Sequence, residues 1–326
     1  MMPLTPLDRA KKLEPVVLAE AEACQEAHQM TDAMEQALQD SGLFWMNVPE
    51  ELGGDDIHPM DRIEVVEELS RADTSIGWTF MAIAGYMGYV STGCGDEAVK
   101  DIFSDPEVKI AGMANPVGTI VDKGDEGYSV KGTYRFGSGV PQSKWIALGG
   151  AVQGGPKDGS ALCAVVPTES VDLQGGWDPI GLIGTGSINY QADERLVDKS
   201  YTFDVGAFEA QRGGPAGRMD FFSTAMIYHA AVGLGVTKRA LQEVVKVADS
   251  GKQRPGADLM HDQQLFRHDF AKHEAMFQSV RAYMMDLAGE AVEIAERGDK
   301  LTDVQAARFR QASSAVHRVG MDAIEF

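Results

Sequence analysis

The chain has 326 residues, 44% apolar and 24% charged, enough for two or three packed units of ordinary globular composition. Its formal charge of −20, with no cluster of Lys and Arg, argues against a nucleic-acid partner. Three cysteines, Cys24, Cys94 and Cys163, stand far apart without a CxxC pair, which predicts a reducing, cytoplasmic setting and thiols that pack as small hydrophobes.

No apolar signal segment is apparent near the N-terminus. Residues 1–104 read as a helical domain. Ile63, Val66 and Leu69 make one apolar stripe, and Asp73 or Thr74 is placed to cap the helix that follows. That helix, IGWTFMAIAGYMGYV from Ile76, is apolar nearly all round but shorter than the ~20 residues of a bilayer span, so it predicts a buried helix.

Residues 105–215 change texture. VKIAGM, YSVKGTYRF, WIALGGAV and ALCAVVP read as strands, with KGDEG and QGGPKDG as turns, and predict a small antiparallel barrel or sandwich. Residues 216–326 return to a helical period, with two long antiparallel helices and a third beginning near Thr302. The pattern is still running at Phe326, which predicts a bundle that continues beyond this chain. The fold class expected is therefore α+β: helical domain, middle β domain, helical bundle.

Motifs taken singly carry little. Gly137-Ser138-Gly139 interrupts a strand pattern, where a neighbouring strand, a phosphate, a flat cofactor or an acyl group approaches closely. It is not a nucleophile elbow, because Phe136 and Val140 stand where that motif needs glycine. GLIGTGS at 181–187 lacks the P-loop lysine, and GLGVTK at 233–238 lacks the third dinucleotide glycine, so both read as turns or close helix contacts. His261, His268 and His273 show no metal-ligand spacing, and metal is not expected. The order of pieces says more. A β unit held between two helical ones makes a flat slot, and Gly-Ser-Gly would offer it backbone N–H groups and one hydroxyl, which suits an isoalloxazine edge.

Several segments resemble the acyl-CoA dehydrogenase superfamily, in the order that family keeps. They are LFWMNVPEELGGDD at 43–56, AGMANPVG at 111–118, GYSVKGTYRFGSGVPQSKW at 127–145, LGVTKRAL at 234–241 and KQRPGADLMHDQQLFRHDFAKHEA at 252–275. ADTSIGW at 72–78 and WDPIGLIGTGSINY at 177–190 resemble the flavin-dependent two-component monooxygenase branch. The resemblance implies a flavin, FMN before FAD, and reduced by a separate reductase. Hydroxylation of an aromatic or heteroatom substrate would proceed with O2 through a C4a-hydroperoxide, in a homodimer or homotetramer.

By the same resemblance Ser138 reaches flavin N5. Met113, Asn115, Phe136, Gly137 and Gly139 line the flavin, and Arg254 and Gln264 meet its phosphate or adenosine end on a neighbouring subunit. Trp78, Tyr86, Gly184, Thr185, Gly186 and Ser187 wall the substrate pocket. Tyr86 stands where several relatives carry histidine, and Ile183 where arginine is frequent. A dehydrogenase acting on an acyl thioester with FAD is the alternative. It needs a carboxylate base, for which Ala225 stands at one family location, while the helical spacing of Glu290 and Glu293 suggests solvent or inter-helix pairing instead. A non-catalytic partner subunit is the third reading.

Overall fold

The computed structural model describes residues 4–251 and 258–326. Five helices come first: α1 (Pro6–Glu26), α2 (Asp32–Asp40), α3 (Pro59–Ala72), α4 (Thr74–Gly93) and α5 (Asp96–Ile102). Their starts follow capping chemistry. The side chains of Thr5, Thr31 and Asp73 accept from the backbone N–H groups of Asp8, Met34 and Ile76, so Asp73, not Thr74, caps α4. Ile76, Phe80, Ile83, Ala84, Met87 and Val90 on α4 are all 0% exposed, so this helix is covered on most sides by its neighbours. No helix among the described residues is long and apolar enough to cross a membrane.

The middle of the chain forms one seven-stranded sheet: β1 (Ile110–Asp122), β2 (Tyr128–Gly137), β3 (Trp145–Gln153), β4 (Ala161–Pro167), β5 (Asp172–Gly175), β6 (Ile188–Val197) and β7 (Thr202–Asp204). The order across it is β5-β6-β2-β1-β3-β4-β7. The alternating runs predict antiparallel pairing throughout, yet β1 and β3 run parallel, with Ile110 opposite Trp145. The reason is the path of the chain. β2 folds back on β1, and the segment after Gly137 crosses the end of β1 to start β3 on its other side. That crossover carries Ser138 and Gly139, which is why these residues lie at the sheet's end rather than within a strand.

β1 also runs on beyond AGMANPVG. Its pairing with β3 shifts between Met113 and Gly118, and this irregularity accommodates Pro116, which has no N–H to give a ladder. The strands β5, β6 and β7 escape the pattern reading, because DLQG and TFD are short and INYQADERLV carries its charges in a row.

Three helices complete the fold: α6 (Phe221–Asp249), α7 (Gln264–Glu296) and α8 (Asp303–Glu325). Thr302 and Gln305 form a reciprocal capping box at the start of α8. GLGVTK is a close helix contact. A Cβ on Gly235 would come within 2.5 Å of the Glu67 carbonyl on α3, so glycine lets α6 and α3 approach. Beside that contact, Glu67 (2% exposed) receives Lys238 Nζ at 3.0 Å and Arg281 Nε at 2.7 Å, and Glu68 pairs with Arg71 at 2.7 Å. The two Glu67 pairs join α3 to α6 and α7, while Glu68–Arg71 lies within α3. Glu290 likewise pairs with Arg308 at 2.9 Å across α7 and α8, and Glu293 is exposed.

Candidate functional site

A cleft of about 390 Å³ opens between α4 and α6 on one side and the end of the sheet on the other. This falls in the ~300–1,000 Å³ range of small-ligand sites. α4 contributes Trp78, Met81, Ala82, Gly85, Tyr86 and Tyr89. β1 contributes Gly112 to Pro116, the end of β2 contributes Phe136, and the crossover after it contributes Ser138. α6 closes it with Phe221, Phe222, Ala225, Met226, Tyr228 and His229. Of the residues singled out in the sequence, Trp78, Tyr86, Met113, Asn115, Phe136 and Ser138 thus come together.

Ser138 is the most constrained of them. Its side chain is nearly buried, accepts the Trp78 indole N–H at 2.9 Å, and lies 2.6 Å from Ser187 Oγ. Two non-glycine residues nearby hold left-handed backbone, Phe136 at φ 63° and Leu182 at φ 58°. Such conformations cost about 1–3 kcal/mol each and persist where surrounding structure imposes them. Phe136 is 63% exposed and meets Trp177 edge-on at 6.0 Å, forming part of the cleft's rim.

Four expected residues belong elsewhere. Gly184, Thr185, Gly186 and Ser187 do not line the cleft as substrate walls; they stand one layer behind Ser138. The loop packs there because Gly184 abuts the backbone of Cys24, Gly186 abuts Gln29 and Pro141, and Gly139 N–H donates to the Thr185 carbonyl at 3.2 Å. Gly137 and Gly139 are held by the fold itself. A Cβ at Gly137 would meet Tyr190 at 2.7 Å and one at Gly139 would meet Ile83 at 2.8 Å, so the protein's own side chains demand these glycines. Gly139 also holds φ at 76°. Gln264 is exposed at the start of α7, away from the cleft, and Arg254 lies outside the described residues.

His229 is the residue the sequence reading missed. Its ring centroid lies 5.3 Å from that of Trp78, and it shares a cleft-facing stripe with Phe222, Ala225 and Met226. Spacing of four from Ala225, on an otherwise apolar stripe, is the signal that reveals it. Burial, with His317 nearby, holds its imidazole below the usual 6.5. Burial pushes the Tyr86, Tyr89 and Tyr228 phenols above their ordinary range. The ionisable groups lining this cleft among the described residues are therefore held neutral at pH 7, and no carboxylate is among them. The arrangement suits a flat aromatic ligand with few polar edges.

Comparison with known proteins agrees with this architecture. Residues 10–106 match the family model for the acyl-CoA dehydrogenase N-terminal domain, and residues 227–325 match the model for its C-terminal domain. The indole-3-acetate monooxygenase of Acinetobacter baumannii is 28% identical over 246 residues, spanning 74% of this chain and 62% of its own length. The oxygenase subunit HsaA of a flavin-dependent monooxygenase from Rhodococcus jostii is 28% identical, over 59% of this chain and 50% of that relative. The chain thus spans 50% to 62% of the length of these relatives. In structure it resembles the 3-HSA hydroxylase from Rhodococcus sp. RHA1, with a TM-score of 0.88 and 21% identity over 97% of this chain and 83% of that one. The two family models together cover more than half of the sequence, one on each side of the sheet, and the chain belongs to the acyl-CoA dehydrogenase superfamily.

Proposed function

We propose that the chain is the oxygenase of a two-component flavin-dependent monooxygenase, acting in the cytoplasm on a small aromatic or heteroatom substrate. The observation that carries this reading is a neutral, aromatic-walled cleft whose floor presents one fixed hydroxyl, Ser138. The names of the curated relatives support the same class.

The cleft residues fit a flavin ring. Gly112 to Pro116 offer an open run of backbone, Met113 and Phe136 offer apolar contact, and Ser138 keeps hydrogen-bonding capacity towards the cleft. The resemblance to the two-component branch favours FMN, reduced by a separate reductase. Arg254 and Gln264 are proposed to meet the phosphate end from a neighbouring copy in a homodimer or homotetramer. When bound, reduced flavin supplies the electrons and the position at which dioxygen is activated.

The chain's own residues do the remaining work. Trp78, Tyr86, Tyr89 and Phe221 wall the cleft with rings and keep water from the reacting edge. Ser138 holds one polar atom of the ring system in place. His229, neutral at pH 7, has one acceptor nitrogen and can take a proton from a substrate O–H or N–H, raising the electron density of an attached ring. A dehydrogenase would need a carboxylate within hydrogen-bond reach of the substrate α-carbon, and the described lining of the cleft provides none.

The test uses reduced FMN bound anaerobically, followed by an oxygen pulse in the presence of indole-3-acetate or a phenol. Delayed return of oxidised-flavin absorbance, with an oxygen atom from O2 in the product, supports the reading. Ser138→Ala should shorten the delay by roughly tenfold, about the value of one hydrogen bond. Reoxidation at the rate of free flavin, with turnover of an acyl thioester, would reject it in favour of the dehydrogenase.

A further inference from the structure

Ser138 belongs to a hydrogen-bonded chain whose two ends favour one direction. Trp78 Nε1–H donates to Ser138 Oγ at 2.9 Å, and Ser138 Oγ lies 2.6 Å from Ser187 Oγ. Ser187 Oγ lies 2.6 Å from Thr185 Oγ1, which donates to the Leu182 carbonyl at 2.8 Å. The two ends fix the rest, because an indole N–H only donates and a carbonyl only accepts. The Leu182 carbonyl also accepts from Trp177 Nε1 at 3.0 Å and from the Thr185 backbone N–H at 3.2 Å, but the 2.8 Å approach of Thr185 Oγ1 still needs a proton between the two oxygens. With Thr185 donating there, Ser187 donates to Thr185 and Ser138 to Ser187. Reversing the Ser187–Thr185 link would leave no proton between Thr185 Oγ1 and the Leu182 oxygen, 2.8 Å apart, and reversing the Ser138–Ser187 link alone would leave none between Ser187 Oγ and Thr185 Oγ1, 2.6 Å apart. Water cannot relieve that conflict, since Thr185 is 0% and Ser187 3% exposed.

We infer that Ser187 and Thr185 are positioning residues that hold the Ser138 proton away from the cleft, so that Ser138 meets a bound ligand only as an acceptor. The inference rests on the flavin reading above and gives it a direction. Reduced flavin carries a proton on N5 and can donate; oxidised flavin has a bare N5 and needs a donor. A Ser138 restricted to accepting favours the reduced form and releases the oxidised one for return to a reductase. Loss of the relay frees the Ser138 proton to turn into the cleft, and the oxidised form then gains a partner.

Dissociation constants of oxidised FMN and of anaerobically reduced FMN are to be measured for the full chain, and their ratio compared among variants. The intact chain should bind the reduced form at least about tenfold more tightly. Ser187→Ala should bring the ratio down by about fivefold, through a gain for the oxidised form, the scale of one hydrogen bond. Thr185→Val, which keeps the side chain's shape, should lower it in the same direction, whereas Thr185→Ser, which keeps the hydroxyl, should leave it unchanged. A merely structural role would weaken both forms together and leave the ratio fixed; that result, or tighter binding of oxidised FMN by the intact chain, overturns the inference while the flavin reading stands. Failure of the intact chain to bind FMN in either state overturns both.

Discussion

Two polar regions flank α4 and α6, and they are built on opposite terms. Between α3, α6 and α7 the fold buries the carboxylates of Glu67 and Glu68 and answers them with Lys238 and Arg281 from the facing helices and Arg71 from α3 itself. Behind the cleft it buries only neutral groups, the hydroxyls of Ser138, Ser187 and Thr185 between an indole and a carbonyl. Charge pairs clamp helices together and tolerate small shifts, because Coulomb attraction has little angular preference. Hydroxyl chains are directional, and each link decides the next. Rigid charge is thus spent on the scaffold, and a direction without a charge is kept for the site.

The comparison breaks first at Glu67. Glu67→Ala leaves Lys238 and Arg281 facing each other without their shared carboxylate, and should cost about 3 kcal/mol. Urea unfolding measures it, and the oxidised-to-reduced FMN binding ratio should not change, because the hydroxyl chain is untouched. Gly137→Ala comes next. Its Cβ collides with Tyr190 and Val140 beside Ser138, and overpacking of this kind costs about 2 kcal/mol. The loss should appear in flavin-free protein; if stability is unchanged there and only flavin binding falls, the glycine serves the ligand after all.

The smallest effect separates the regions by pH. Although burial alone would raise the Glu68 carboxyl, hydrogen bonds from Arg71 and the charges of Arg71 and Lys238 hold it below its ordinary 4.5. That stabilisation is present above 4.5 and is lost as pH falls through the lower folded value. His229 is depressed below 6.5, so the unfolded chain takes up its proton first, and stability falls as pH drops from 6.5 towards the folded value. Melting temperature against pH should therefore decline in two windows. His229→Gln should flatten only the upper one, and a decline that begins at 6.5 in that variant as well would assign it to another group.

The helices and four of the strands were legible because their periods are local. A stripe such as Ile63, Val66 and Leu69, or a cap such as Asp73, is written within a few residues. β5 and β7 were not, because strands of 4 and 3 residues give alternation no length in which to show itself. The cleft was half legible. Trp78, Tyr86, Met113, Asn115, Phe136 and Ser138 were found through family resemblance, while His229 escaped because a single histidine on an apolar stripe reads as core until a neighbouring element fails to cover it.

By itself the sequence determined the order of helical, β and helical parts, the buried character of α4 and the family. These rest on side-chain periodicity and on motifs, both properties of neighbours in the chain. Only the tertiary structure decided that the GTGS loop stands behind Ser138 rather than in the lining of the cleft. The same is true of the glycines at 137 and 139, which answer to Tyr190 and Ile83. The direction of the Ser138 proton is of this kind as well. It depends on an indole 60 residues away and a hydroxyl 49 residues away, and no local pattern encodes a hydrogen bond between groups that meet only when the chain has folded.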